Sequence, residues 1–295
     1  MYFPRKFYYF FAIFVVAFFL FLYLIFIPAP SNFPNNSVIK VSKGDSLSSL
    51  SIKLKDQSIV RSRFVFQTLV VLLGGARKIS FGDYVFDKPM SVIRISYMIA
   101  RGDHNYIPIK ITIPEGYTNK KIADILHEKI PQIDSLNFQN IGYSSQGYLF
   151  PDTYFFSPYV TTDEIYSTMK DDFIFRTQAF KNDVKKSPYS LDQIVTMASI
   201  IEGEAKTDAE RPIIAGILWK RIDMKMPLEV DVAPETYKTL GLPADPTCNP
   251  GLPSIESALH PKSSIYLFYL HDKNGNIHYA TTYAEHIQNI KKYLK

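Results

Sequence analysis

The sequence predicts an α+β protein in which short strands and amphipathic helices build separate modules. Two segments share one pattern: an alternating strand, a glycine turn and an amphipathic helix, beginning at Ile39 and at Ile111. The second half of the chain is mostly helical and closes with a predicted hairpin and a final helix. Hydrophobic residues make up 46% of the 295 residues and charged residues 21%, which indicates folded domains rather than disorder.

The N-terminal region predicts a membrane anchor. Residues 7–27 carry no charge, and at about 1.5 Å per residue they cover roughly 30 Å, the thickness of a bilayer core. Arg5 and Lys6 precede this run, and positive charge favours the cytoplasmic side. The expected location is therefore the cytoplasmic membrane, crossed once, with residues 38–295 outside the cytoplasm.

A cleaved signal peptide is the alternative to an anchor. Its apolar region is usually shorter, at about 7–15 residues, and no clear cleavage site of small residues follows here. Residues 28–37 are rich in Pro and Asn, which predicts a short extended tether. Residues 1–37 are thus expected to comprise a cytoplasmic tip, the anchor and the linker.

Residues 38–104 predict a small α+β module. The strand and glycine turn at 39–46 lead into a helix with apolar positions at helical spacing, and residues 81–86 read as a second strand. Residues 91–100 have a helical pattern that stops at Gly102. Residues 105–295 then form the second domain.

The second domain is expected to contain several helices around a buried one. Residues 190–201 are strongly apolar and predict that buried helix. The capping-box spacing at 207–210 predicts the start of another helix. The remaining predicted elements are helices over 163–180 and 283–294, a buried strand over 265–270, a turn over 272–275 and a returning strand over 277–280.

Glu202 and Glu204 follow the most apolar helix. Two residues apart on a helix means about 200° apart, so at most one carboxyl can face a given cleft. A carboxyl beside Ile200 and Ile201 would be partly desolvated, which raises its pKa and suits a general acid. The alternative is that both are solvated charges at a helix end.

Other chemistries find no support in the sequence. The six histidines are dispersed without metal-binding spacing, and Cys248 is the only cysteine, so no metal site and no disulfide is expected. A GxSxG nucleophile elbow is absent. The net charge of +5 comes from scattered Lys and Arg, which does not indicate nucleic-acid binding. No cofactor is predicted.

A set of motifs, taken in order, resembles the YceG-like endolytic murein transglycosylases, also called the MltG family. The resemblance covers nearly the whole chain, and residues 38–104 resemble the family's LysM-like subdomain. The motifs are GYLFPDTY at 147–154, MASIIEGEA at 197–205, ERPIIAG at 210–216, CNPG at 248–251, ALHP at 258–261, YLFY at 266–269 and TYAEH at 282–286.

The resemblance implies a lysozyme-like cleft with Glu204 as its catalytic acid, since the family's catalytic glutamate is the second in its Glu-x-Glu motif. It implies cleavage of the β-1,4 bond between MurNAc and GlcNAc. The acid protonates the leaving oxygen, and its conjugate base then takes the proton of the MurNAc C6 hydroxyl, which closes a 1,6-anhydro ring. Because no water is consumed, one carboxylate can suffice where a hydrolase usually needs two.

Further candidates for sugar contact or support of the site are Asp152, Tyr154, Arg221, Asp231, Thr236, Tyr237 and Asn249. The chain departs from the family's pattern at Gln146, Lys220, Glu229 and Glu235, and its stretch between Asp231 and Thr236 is short. This stretch helps build the substrate cleft in the family.

The resemblance further implies that this protein terminates new glycan strands, with peptidoglycan strands as substrate and penicillin-binding proteins and other peptidoglycan synthases as partners. Two alternatives remain. One is a catalytically impaired peptidoglycan-binding protein, and the other is a scaffold of the cell-wall elongation machinery. The Glu204→Gln substitution separates both from the enzyme, because a binder or scaffold does not need the ionisable proton.

Overall fold

The computed structural model describes residues 5–75, 79–142 and 145–294. The chain divides into two compact units. The first runs up to Pro108 and includes Ser157–Tyr159, and the second comprises Ile109–Phe156 and the chain from Val160 onward. One apolar cluster forms the core of the first unit, and two clusters form that of the second.

The first unit contains two short paired strands, with helices before, between and after them in the chain. The predicted strand–turn–helix pattern is confirmed: Gly44 has a φ of 93°, and Ser46 forms a capping box at the start of the following helix. The strands are antiparallel, with Ile39 opposite Tyr84. In chain order the elements are α1 (Arg5–Phe26), β1 (Ser37–Val41), α2 (Leu47–Asp56), α3 (Arg63–Leu72), β2 (Gly82–Phe86) and α4 (Val92–Arg101).

The segment after α1 is packed against this unit, although the sequence predicts an extended tether. The Ile27 carbonyl accepts a hydrogen bond from Val92 N at 3.0 Å, and the Ala29 carbonyl accepts one from Arg61 Nη2 at 2.8 Å. Phe33 is buried in the core, because an apolar ring gains free energy by leaving water. Across the described ranges, no helix combines the length and apolar character that crossing a bilayer requires.

The second unit contains two separate antiparallel strand pairs among helices: β3 with β4, which are distant in sequence, and β5 with β6, which form a hairpin. In chain order its elements are β3 (Ile109–Thr112), α5 (Asn119–Lys129), α6 (Ser135–Gly142), β4 (Thr153–Phe156), α7 (Thr162–Thr177), α8 (Lys181–Lys186), α9 (Leu191–Glu204), α10 (Arg211–Asp223), α11 (Leu252–Leu259), β5 (Phe268–His271), β6 (Ile277–Ala280) and α12 (Tyr283–Tyr293). Short 3₁₀ turns lie at Gln178–Phe180 and Pro234–Tyr237.

Helix α9 is the buried centre of this unit, as the sequence predicts. It begins at Ser190, whose side chain forms a capping box with Gln193, and its residues 194–201 are all buried. It packs against α10 and α11, because a helix that is apolar on every side must be covered by other elements. The helix ends at Glu204, since Ala205 is in an extended conformation. Glu204 therefore lies at the edge of the core.

The predicted start of α10 is wrong by one turn. The helix begins at Arg211, with Pro212 in its first turn, where a missing amide hydrogen is tolerated. Residues 207–210 form a turn closed by Glu210 N and the Thr207 carbonyl at 3.2 Å. The Glu210 carboxylate accepts from Lys206 N and contacts His271 on β5, and α10 begins only after this turn.

The buried strand predicted over 265–270 begins later than expected. Strand β5 starts at Phe268, and Ile265 is 71% exposed. Lys220 of α10 donates to the carbonyls of Ser264 and Tyr266. These carbonyls are therefore bonded to a helix side chain and not to a neighbouring strand.

Candidate active site

The end of α9 places Glu204 in the wall of a cleft of about 570 Å³. The other walls come from α10, from the loop over 228–237, from β5 and from one face of α12. Every residue that lines the cleft belongs to the second unit. The cleft has the size typical of a small-molecule or oligosaccharide site.

The two glutamates at the end of α9 face opposite ways, as the helical spacing predicts. Glu204 faces the cleft, where its Oε2 accepts a hydrogen bond from the Tyr269 hydroxyl at 3.0 Å. Glu202 accepts from the backbone N–H of Gly251 at 2.9 Å and pairs with Arg211 at 3.3 Å. Glu202 is therefore engaged in holding the fold, and Glu204 is the carboxyl that lines the cleft.

Burial raises the pKa of the Glu204 carboxyl above its ordinary value, because the charged form loses its hydration. The nearby negative charge of Asp231 acts in the same direction. Hydrogen bonds from Tyr269 and from the backbone of Val232 and Asp231 oppose the rise, since they stabilise the carboxylate. A raised pKa keeps the carboxyl protonated to higher pH than an exposed glutamate, which suits a general acid.

Arg221 holds the loop that borders the cleft. It is only 6% exposed, and its guanidinium donates to the Leu267 carbonyl at 3.0 Å, to the Leu228 carbonyl at 2.5 Å and to Glu229 at 3.1 Å. It also lies 4.9 Å from the centre of the Phe268 ring, a cation–π distance. This one side chain thus connects α10 to the loop and to Leu267, the residue directly before β5.

The loop over 228–237 lines the cleft with Glu229, which pairs with Arg221, and with Asp231 and Tyr237. The Tyr237 hydroxyl donates to Asp231 at 2.8 Å, and burial together with this bond raises the pKa of Tyr237 to about 12. Thr236 is buried, accepts from Val230 N at 3.2 Å and donates to the Ala233 carbonyl at 2.6 Å. Thr236 therefore shapes the loop, while Asp231 and Tyr237 line the cleft.

Asn249 lies in a buried network that joins distant parts of the second unit. Its Oδ1 accepts from Gly147 N at 2.9 Å and from Leu149 N at 3.0 Å. Its Nδ2 donates to the Tyr117 carbonyl and to Asn119, both at 2.9 Å. All its polar positions are engaged within the protein, which indicates a role in the fold.

Asp152 and Tyr154 lie beside α7. The Tyr154 hydroxyl donates to the Phe150 carbonyl at 2.6 Å and to Asp172 at 3.2 Å. Asp152 forms an ion pair with Arg176. Of the seven supporting candidates from the sequence, the structure brings Arg221, Asp231 and Tyr237 to the cleft of Glu204. It places Thr236 behind the loop and the other three in separate contacts.

Several residues that line the cleft are not among the candidates predicted from the sequence. Tyr269 is one, and Tyr283 and His286 on α12 are others. Tyr269 lies 65 residues from Glu204 in sequence. The strand predicted over 265–270 contains Tyr269, but the prediction does not show which face of that strand meets α9. The motif TYAEH was the available signal for Tyr283 and His286.

Within the described part of the chain, no group of three or more His, Cys, Asp or Glu side chains could hold a metal ion. What the site offers is a partly buried carboxyl with a raised pKa, at the end of an apolar helix and open to a cleft. That is the arrangement of a general acid–base enzyme.

Comparison with known proteins assigns this chain to a protein family. A family model described as the YceG-like family matches residues 39–234 and 235–292, and the chain belongs to this family. The resemblance inferred from the motifs is confirmed, and so is the mixed helix and sheet fold.

Curated relatives and a solved structure agree with this assignment. The chain is 29% identical to the endolytic murein transglycosylase of Bacillus subtilis, over 87% of this chain and 84% of the relative. It is 22% identical to the endolytic murein transglycosylase of Streptococcus pneumoniae serotype 2, over 91% of this chain but 60% of that longer protein. The crystal structure of a YceG-like protein from Listeria monocytogenes matches 86% of this chain and 99% of its own, with a TM-score of 0.56 and 25% identity.

Proposed function

We propose that this chain is an endolytic lytic transglycosylase of peptidoglycan and that Glu204 is its general acid and then its general base. The observation that carries the proposal is the Glu204 carboxyl itself, partly buried, raised in pKa and open to a cleft. The names of the relatives from Bacillus subtilis and Streptococcus pneumoniae support the substrate and the reaction.

The reaction uses one carboxyl twice. Protonated Glu204 gives its proton to the oxygen of the β-1,4 bond between MurNAc and GlcNAc, and the bond from that oxygen to MurNAc C1 breaks. The resulting carboxylate takes the proton of the MurNAc C6 hydroxyl, and the C6 oxygen attacks C1 to close the 1,6-anhydro ring. Glu204 ends protonated, so no water and no second carboxylate is required. The raised pKa supports the first step.

Asp231 assists by its charge. Positive charge develops at C1 as the glycosidic bond breaks, and Asp231 lines the cleft together with Glu204. The hydrogen bond from Tyr237 fixes the direction of the Asp231 carboxylate. A fixed negative charge at this place stabilises the transition state more than the neutral substrate.

Exposed aromatic rings on two sides of the cleft support a polysaccharide substrate. Tyr237 on the loop is 51% exposed and Tyr283 on α12 is 64% exposed, and both line the cleft. Such rings offer an apolar face with a polar edge, which suits the C–H face of a pyranose. These two tyrosines are the proposed sugar contacts in the cleft.

The substrate places the reaction outside the cytoplasm, and the charge pattern at the N-terminus supports an anchor. We assign residues 7–27 as a single membrane span, because they are uncharged and follow Arg5 and Lys6. A reporter that is active only in the cytoplasm, fused after the last residue, should be silent. An active reporter would overturn the orientation.

Residues 38–104 form the proposed LysM-like subdomain, which binds glycan or positions the cleft on it. The support is the order strand, helix, helix, strand from β1 to β2, with the two strands paired antiparallel. Peptidoglycan synthases are the proposed partners, since an enzyme that ends nascent strands must act where those strands emerge.

The test of the proposed function compares wild type with Glu204→Gln on purified glycan strands. The wild type should shorten the strands, and the variant should be slower by about 10²–10⁴ or more, because one group performs both proton transfers. Equal cleavage by the two proteins would exclude Glu204 as the acid. Normal function of the variant in cells would favour the alternative of a binding protein or scaffold.

A further inference from the structure

We propose that Tyr269 is a positioning residue for Glu204 and that the His271–Glu210 pair holds Tyr269 in place. This inference rests on the proposed function, because it assigns roles in the reaction of Glu204. It follows from a closed circuit of contacts between the end of α9 and strand β5. Apart from Glu204, none of the residues in this circuit has a role in the proposed function above.

The circuit starts at the carboxyl of Glu204. The Tyr269 hydroxyl donates to its Oε2 at 3.0 Å, and His271 lies two residues further along β5, on the same face of the strand. His271 Nε2 lies 3.0 Å from Glu210 Oε2. The same Glu210 oxygen accepts from Lys206 N at 2.9 Å. Lys206 follows Glu204 by two residues, so this series of contacts begins and ends at the end of α9.

Burial makes this circuit rigid. The side chains of His271 and Glu210 are 12% and 9% exposed. An ionised carboxylate only accepts hydrogen bonds, so the His271 ring must donate to Glu210. Because Glu210 bonds both the turn after α9 and β5, it fixes the distance between Glu204 and Tyr269. Loss of either partner would leave a buried polar group without its bond.

The hydroxyl of Tyr269 holds the orientation of the Glu204 carboxyl. Because it donates to Oε2, it favours the transferable proton of the acid on Oε1, since the carbonyl oxygen is the better acceptor. In the second half of the reaction the same bond stabilises the carboxylate that accepts the C6 proton. The other charged or titratable groups that line the cleft are Glu229, Asp231 and Tyr237 on the loop, Arg221 on α10, His271 on β5, and Tyr283 and His286 on α12.

The test measures kcat and KM of the full chain on purified glycan strands across pH. Tyr269→Phe should lower kcat roughly 10- to 100-fold, the effect expected from losing a hydrogen bond to a charged group. It should also move the loss of activity at high pH to higher pH, because the carboxylate of Glu204 loses a stabilising donor. Damage to the fold alone would lower the rate without moving this limb. Tyr279→Phe is the matched control, since Tyr279 lies opposite Tyr269 on β6 and its ring stacks on Tyr266.

A second pair of variants tests the support of Tyr269. His271→Ala should lower kcat with little change in KM, and His271→Gln, which keeps a donor, should recover part of the loss. If Tyr269→Phe has the rate and pH profile of wild type, or if His271→Gln is no better than His271→Ala, the inference is overturned. Glu204→Gln is measured beside them. A wild type that does not cleave would refute the proposed function and this inference together, whereas wild-type behaviour of the other variants beside an inactive Glu204→Gln would refute this inference alone.

Discussion

Gly203 and Val232 lie so close together that a Cβ atom on Gly203 would be 2.5 Å from Cγ1 of Val232. Gly203 directly precedes Glu204 on α9, and the backbone of Val232 and Asp231 forms hydrogen bonds with the Glu204 carboxyl. The missing side chain at residue 203 therefore lets the loop close over the acid. Glycine is used here for close approach, one of its two common roles.

Gly203→Ala should open this contact. The added methyl must push Val232 away, which costs about 1–3 kcal/mol of stability as overpacking does, and it should lower kcat because Asp231 moves with the loop. Val232→Ala in the same chain should recover most of both losses, since it removes the Cγ1 atom that clashes. Activity assays and thermal unfolding of the two single variants and the double variant make the comparison. Additive losses in the double variant would contradict the contact.

Glu204→Gln should change stability in a pH-dependent way. The pKa of Glu204 is raised in the folded protein above its ordinary value of 4.5. At low pH the carboxyl is protonated in both folded and unfolded chains, so it does not change the free energy of unfolding. As the pH rises above 4.5, the unfolded chain ionises first, so wild type loses stability until the folded carboxyl has also ionised.

Thermal unfolding of wild type and Glu204→Gln should therefore agree near pH 4, and the variant should be the more stable of the two above neutral pH. Glu202→Gln is the contrasting change, because it weakens the buried contacts to Arg211 and Gly251 and should lower stability. A constant difference between Glu204→Gln and wild type at all pH values would show that burial does not raise this pKa.

Arg221→Lys should reduce both stability and kcat. An ammonium group cannot reproduce the planar, three-point contact of the guanidinium with Leu228, Glu229 and Leu267, and the loss should be roughly 2–4 kcal/mol. Arg176→Lys is the matched control, because that side chain is 43% exposed and its ion pairs are solvated. It should change stability by less than about 1 kcal/mol. Equal effects would mean that the loop does not depend on Arg221.

Asn249→Ala should unfold the protein more easily without changing its products. The substitution leaves the buried N–H groups of Gly147 and Leu149 without their acceptor, a cost of roughly 2–5 kcal/mol. Asp152→Asn should have little effect on stability, because its ion pair with Arg176 is partly exposed to solvent. Denaturant unfolding measures both. If Asn249→Ala instead changes KM at full stability, Asn249 contacts the substrate.

Local features of the fold could be predicted because nearby residues determine them. The opposite directions of Glu202 and Glu204 follow from helical geometry alone, and the polar caps at Ser46 and Ser190 mark where their helices begin. Helices α3, α6, α8 and α11 and strand β4 have no counterpart in the sequence prediction.

Other features depend on contacts between distant residues. The spacing at 207–210 fits a capping box, but the Glu210 carboxylate contacts His271 on another element. The hydrogen bond between Tyr269 and Glu204, and the three acceptors around Arg221, likewise exist only in the folded chain. Residue patterns within one helix or strand contain no information on such partners, and most of the site beyond Glu204 consists of them.

The central claim is that Glu204 performs both proton transfers and that the C6 hydroxyl, not water, is the acceptor. Mass spectrometry of glycan strands cut by the full chain tests it directly. The new ends should be 1,6-anhydro-MurNAc with wild type and with Glu202→Gln, and they should be nearly absent with Glu204→Gln. Reducing MurNAc ends would contradict the account, because water would then be the acceptor and a second carboxylate such as Asp231 or Glu229 would have to activate it.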